Sequence, residues 1–102
     1  MGKRREYFNN GKLAFEGEYL NGKKNGNIKE YYYDGKLAFE GEYLNGEING
    51  KGKNYFKNGL LSFEGEYLNG KKWNGKYTEY IRIQKNNTKK KTYTFQNGKK
   101  LK

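Results

Sequence analysis

From Leu13 to Leu20 the chain alternates with period two: Leu13, Phe15, Gly17 and Tyr19 fall on one side, Ala14, Glu16, Glu18 and Leu20 on the other. Such alternation marks a strand with one face turned toward a core. The octet Phe15–Gly22 returns unchanged at Phe39–Gly46 and at Phe63–Gly70, one copy every 24 residues. A fixed period of this length is the mark of a repeat architecture. With glycine as the phase marker, the units are 2–25, 26–49, 50–74 and 75–102, forming a single repeat domain over 1–102. The third unit holds one extra residue, Trp73, and the fourth degenerates, as terminal repeats of arrays often do.

Each unit is expected to be a hairpin. In the first, Lys3 to Phe8 is one strand, Asn9-Asn10-Gly11 a tight turn and Leu13 to Leu20 the second strand. Asn10-Gly11, Asp34-Gly35 and Asn58-Gly59 fit a type I′ turn, whose two central residues need φ > 0. The stretch Asn21 to Gly26 reads as a longer connection to the next unit. Stacked hairpins place Phe8, Tyr32, Phe56 and Ile81 in one column and Tyr7, Tyr31, Tyr55 and Tyr80 in the next. Gly17, Gly41 and Gly65 sit mid-strand, which predicts an aromatic ring of a neighbouring strand over each bare backbone. Glu16/Glu18, Glu40/Glu42 and Glu64/Glu66 form an acidic column beside Arg5, Lys29 and Lys53. Opposite charges paired across strands contribute roughly 0.2–1 kcal/mol each and help set register. In the last unit Gln84 to Thr88 reads as the turn, and Thr92 and Thr94 replace the paired glutamates.

Composition supports strands over helices. Apolar residues are 32% of the chain and aromatics 18%, with no Val, so Tyr and Phe must supply the core. Such residues suit a pleated, half-buried surface. Fifteen Gly and no Pro fit many turns and unbroken ladders. Without Cys there is neither a disulfide framework nor a thiolate metal site. No apolar run follows Gly2-Lys3-Arg4-Arg5, and no stretch nears the ~18 apolar residues of a membrane span. A cytoplasmic protein is therefore expected.

Catalysis finds little support. His and Cys are both missing, which removes the commonest general base and the thiol nucleophile. The paired carboxylates recur in every unit beside lysines, as scaffold positions do. No cofactor is implied. Charge is more informative. The net +11 is concentrated at one end, since residues 75–102 carry nine Lys and Arg against the single Glu79. Two readings stand side by side: lysines that protect a sheet edge from further pairing, or an electrostatic dock. The lone Trp73 is either an interface anchor or a lid over the irregular last hairpin.

The run Phe15-Glu16-Gly17-Glu18-Tyr19-Leu20-Asn21-Gly22 followed by Gly26, and Gly50-Lys51-Gly52 in the third unit, resembles the MORN repeat. The Asn-Gly-Lys-Leu turn with its Phe-Glu-Gly-Glu strand is also similar to the MORN-type repeats of small bacterial antitoxin-like proteins. The resemblance implies an all-β fold, an extended twisted antiparallel ribbon of about four stacked hairpins, serving as a docking platform and not as an enzyme. Eight strands at ~4.8 Å spacing make a ribbon roughly 40 Å long.

A single sheet leaves one face uncovered. Here that face is an aromatic strip, to be covered by a protein partner, by a second copy in a homodimer, or by curling of the sheet. The leading expectation is a non-enzymatic protein-binding module, an adaptor or a small inhibitor, whose partner could be a nucleic-acid-handling enzyme. Phe39, Tyr43, Phe63, Tyr67, Ile48 and Trp73 are the candidate contacts, with Arg82, Lys85, Lys89, Lys90, Lys91, Lys99 and Lys100 at the basic end. The alternative is direct binding of nucleic acid or acidic lipid through interleaved basic and aromatic residues.

Overall fold

The computed structural model describes residues 2–101. It is all-β, with nine strands: β1 (Gly2–Tyr7), β2 (Leu13–Leu20), β3 (Lys23–Tyr31), β4 (Leu37–Leu44), β5 (Glu47–Tyr55), β6 (Leu61–Leu68), β7 (Lys71–Gln84), β8 (Asn87–Gln96) and β9 (Lys99–Lys100). They form one open antiparallel sheet in chain order. Its Cα extents are 47 × 36 × 13 Å, a slab one sheet thick. The expected stack of hairpins is present, and the short β9 is an addition to the eight strands anticipated.

The two kinds of turn are exchanged relative to expectation. Asn21-Gly22, Asn45-Gly46, Asn69-Gly70 and Asn97-Gly98 have both residues at positive φ, for example 52° and 79° at the first. These are the two-residue type I′ hairpins, so the connection from Asn21 is short and Lys23 already belongs to β3. At Asn10-Gly11, Asp34-Gly35 and Asn58-Gly59 only the glycine has positive φ. There the chain makes a three-residue loop with a glycine bulge: Gly11 N–H donates to the Phe8 carbonyl (3.0 Å), and Phe8 N–H to the Lys12 carbonyl (2.8 Å). The Asn10 side-chain oxygen accepts the Lys12 N–H at 2.9 Å, which fixes the loop locally.

Register sorts the residues into rows across the strands. On one face runs Phe15–Glu30–Phe39–Asn54–Phe63–Tyr77–Tyr93. Beside it runs Gly17–Ile28–Gly41–Gly52–Gly65–Gly75. The core lies on this face. Phe15, Ile28, Phe39, Phe63 and Tyr67 are all buried, Phe63 completely. The rings pack edge-on: Phe39–Tyr43 at 5.9 Å, Phe39–Tyr67 at 5.8 Å and Phe63–Phe95 at 5.7 Å between centroids. The aromatic strip is thus largely covered by its own neighbours.

The glycines make that covering possible, with one refinement. A Cβ on Gly41 would stand 2.7 Å from the Phe39 ring of its own strand and 2.7 Å from the Gly52 Cα. A Cβ on Gly52 would meet Phe39 and Tyr67. Over Gly17 lies Ile28, an aliphatic side chain, and Gly65 faces the backbone of Asn74 and Gly75. Close backbone approach is thus as important as ring contact.

The Phe8 column also departs from expectation. Phe8 packs on Tyr33 (5.2 Å), and Phe56 packs on Tyr80 (5.9 Å) while Ile81 is exposed. In the earlier units three residues stand opposite Glu18 or Glu42 in a bulge; at β7 only Trp73 and Asn74 stand opposite Glu66. Pairing of β6 with β7 runs to Phe63↔Tyr77, the place where Phe15↔Glu30 and Phe39↔Asn54 end the earlier pairings. The last hairpin is the longer one: Tyr77 and Tyr93 lie 16 positions apart, against 9 for Asn54 and Phe63.

Candidate functional site

Three surfaces bear on function: the charged face, expected to be scaffold, and the two expected to dock a partner, the aromatic face and the basic end. On the first, pairing of adjacent strands generates an alternating row, Arg5–Glu16–Lys29–Glu40–Lys53–Glu64–Lys76. A groove of about 900 Å³ lies along it, flanked by Lys3, Arg5, Glu16, Glu18, Lys51 and Lys53 among others. Its carboxylates already have partners. Arg5 Nε donates to Glu16 at 2.8 Å, and this hydrogen bond holds the Glu16 carboxyl below its ordinary pKa. Tyr55 OH donates to Glu40 (3.1 Å), Lys53 lies 3.6 Å from Glu64, and Asn74 Nδ2 donates to Glu66 (3.4 Å). Glu18 accepts the Asn27 N–H (3.0 Å), and Glu42 accepts the equivalent Lys51 N–H (2.7 Å). These last two hold the bulges at Gly26 and Gly50, where φ is 105° and 110°. The paired glutamates therefore shape the sheet. Among the described residues no group of three or more acidic, His or Cys side chains could hold a metal.

The aromatic face presents less free surface than its composition promised. Of the predicted contacts, Phe39, Phe63 and Tyr67 are core residues, and Tyr43 and Ile48 are half-buried against them. The tyrosine hydroxyls are used internally: Tyr67 donates to Asn54 Oδ1, and Tyr43 donates to Glu30 at 3.1 Å. Burial raises the Tyr67 pKa, and burial followed by the Glu30 charge raises that of Tyr43. Glu30 also pairs with Lys24 at 2.8 Å, and the Lys24 ammonium rests 4.4 Å above the Phe15 ring. One repeat later Ile48 and Asn54 hold the places of Lys24 and Glu30. An ion pair has been exchanged for an apolar side chain and an amide.

The basic end is different in kind. β7 and β8 continue as a two-stranded arm after β6 has ended. Tyr80 still touches the neighbouring hairpin, its OH donating to the Leu61 carbonyl at 3.2 Å and its ring packing on Phe56 at 5.9 Å. Every residue from Ile81 to Thr92 is exposed. Pairing Ile81↔Lys89, Tyr80↔Lys90 and Glu79↔Lys91 puts Lys89 and Lys91 on one face of the arm, Arg82 and Lys90 on the other, with Lys85 in the tip turn. None of these five cations forms a salt bridge among the described residues.

Lys99 and Lys100 are also exposed; Lys100 lies 4.5 Å over the Tyr93 ring. Trp73 is half-buried, its carbonyl accepting the Gly98 N–H at 2.9 Å and its ring lying against that turn. The structure thus brings Arg82, Lys85, Lys89, Lys90 and Lys91 together and sets Trp73 apart at the β8–β9 turn. A last hairpin turning at Gln84 to Thr88 was legible in the sequence; its projection as an arm, and Gln84, Asn86 and Asn87 as candidate contacts at the tip, were not. A signal was present: no Asn-Gly, Asp-Gly or other glycine occurs between Gly75 and Gly98.

No protein-family model matches the chain, and no curated protein matches it.

Proposed function

We propose that the chain is a non-enzymatic binding module, a MORN-type repeat scaffold that presents its basic arm to an anionic macromolecule as an adaptor or inhibitor does. The observation that carries this reading is the contrast in charge pairing. The groove carboxylates Glu16, Glu18, Glu40, Glu64 and Glu66 all have hydrogen-bond or ionic partners, Arg5 and Lys53 being the two cations paired there, whereas the arm offers Arg82, Lys85, Lys89, Lys90 and Lys91 with no salt bridge among the described residues. Free cations on an exposed element attract an anionic partner and speed its encounter. Desolvating a carboxylate that is already satisfied brings no such gain.

Polyglutamate serves as a probe for this dock. Lys89→Gln/Lys90→Gln/Lys91→Gln is expected to weaken binding by about tenfold at low salt, or ~1.4 kcal/mol. The groove triple Arg5→Gln/Lys29→Gln/Lys53→Gln, taken from the row that alternates with the glutamates, removes the same charge and is expected to weaken it much less. Equal losses from the two sets mean that net charge alone binds, and the arm reading fails.

A further inference from the structure

We infer that the β7–β8 arm enters a groove of double-stranded nucleic acid. This rests on the reading of the arm as the docking element and assigns its partner.

Reach is the first argument. Beyond Tyr80, the four residues Ile81–Gln84 of β7 are all exposed, and as extended chain they span about 14 Å at ~3.4 Å per residue. The major groove of B-DNA is ~8.5 Å deep and ~12 Å wide, and it admits a two-stranded β-ribbon. The tip can therefore arrive at the base edges while the body of the sheet stays outside.

The second argument is the distribution of charge around the ribbon. Lys89 and Lys91 project from one face and Arg82 and Lys90 from the other, with Lys85 at the end. A flat acidic surface, whether protein or membrane, is met by one face of a ribbon and leaves the opposite cations in water. A groove has a phosphate wall on each side, so both faces find anions at once. From Tyr80 to Lys91 the arm has no carboxylate to be repelled; the nearest, Glu79, stands opposite Lys91 at the base and accepts a hydrogen bond from Tyr93 OH at 3.5 Å.

The tip supplies the third. Gln84, Asn86 and Asn87 carry amides that can pair with base edges, and the exposed Ile81 and Ile83 offer apolar surface of the kind that meets a thymine methyl. These residues are uncharged, so they contribute where sequence is read and not where phosphates are held.

The test is fluorescence anisotropy of the full chain with a short mixed-sequence DNA duplex over a range of salt, beside the single strand, polyglutamate and phosphatidylserine vesicles. Arg82→Gln/Lys90→Gln and Lys89→Gln/Lys91→Gln should each lower the slope of log K against log salt by about 2, since each pair removes two phosphate contacts. Asn86→Ala/Asn87→Ala should leave that slope unchanged. If only one pair matters, or if the single strand, polyglutamate or vesicles bind more tightly than the duplex, the duplex assignment is overturned while arm docking stands. If neither pair changes binding to any probe, both readings are overturned. Circular dichroism of each variant confirms that the sheet is retained.

Discussion

The β4–β6 region and the β7–β8 arm are the same kind of object, antiparallel strands joined by short turns, with opposite destinations for their side chains. Between β4 and β6 the rings of Phe39, Phe63 and Tyr67 close over a floor of glycine, and the hydroxyl of Tyr67 stays inside on Asn54. In the arm, everything from Ile81 to Thr92 faces solvent. Phe15, Phe39 and Phe63, identical in three units, are buried, whereas the unrepeated run from Ile81 to Thr92 is exposed throughout. Repetition and burial do not coincide everywhere: Ile28 occurs in one unit only and is buried, and Leu20, Leu44 and Leu68 are repeated and exposed.

The comparison breaks most sharply at Phe63. Truncation to Ala opens a cavity in the completely buried centre and is expected to cost about 3–5 kcal/mol, read from a urea denaturation midpoint. A loss under about 1 kcal/mol would mean the rings are a removable cover. Gly65→Ala comes next. Its Cβ would lie 2.1 Å from the Asn74 carbonyl oxygen and 2.6 Å from the Gly75 Cα, backbone atoms that cannot swing aside. The expected loss is about 2–3 kcal/mol.

A subtler division runs within the scaffold. Lys24→Ile alone leaves the half-buried Glu30 with Tyr43 but no cation, and should cost about 1–2 kcal/mol. Adding Glu30→Asn makes this junction resemble the one at Ile48 and Asn54 and should recover most of that loss. A double-mutant coupling below about 0.5 kcal/mol would show that the two positions vary independently.

Alkaline titration probes the same pair of junctions. The hydroxyls of Tyr43 and Tyr67 have pKa values raised above the ordinary 10.0. The unfolded chain ionises first, so their contribution is complete below about pH 10 and is lost as pH climbs from there toward the folded values. Tyr43→Phe/Tyr67→Phe should flatten the fall in the urea midpoint above that pH. The smallest effect belongs to the arm, where Lys89→Gln/Lys90→Gln/Lys91→Gln should change stability by no more than about 0.5 kcal/mol.

Much of the scaffold could be read directly. The strands, their alternation and the pairing of Glu16, Glu40 and Glu64 with Arg5, Lys29 and Lys53 follow from a period that survives three copies. The turn types could not be read the same way, because Asn-Gly serves both loops. The sign of φ at the Asn and the hydrogen-bond partner of Phe8 are what distinguish the three-residue loop at Asn10-Gly11 from the two-residue turn at Asn21-Gly22. Burial of the strip was hidden for another reason: how much ring surface is covered depends on the close approach across Gly41 and Gly52, a distance with no counterpart in composition. The arm escaped because the degenerate last unit holds no copy of the repeated octet to phase it: Tyr77 and Tyr93 lie 16 positions apart, against 9 for Asn54 and Phe63.

β3 lies between two strands of identical sequence, Leu-Ala-Phe-Glu-Gly-Glu-Tyr-Leu at β2 and at β4, and Lys29 faces Glu16 on one side and Glu40 on the other. Side-chain recognition therefore cannot tell β3 which neighbour belongs on which edge. Covalent tether length decides: two residues to one strand, a short glycine-bulge loop to the other. A nick at Asn21-Gly22 would leave β2 and β4 interchangeable as partners, within one chain or between two. Strand order here is a property of the linkers, and exchange between molecules is the failure that a cut linker would invite.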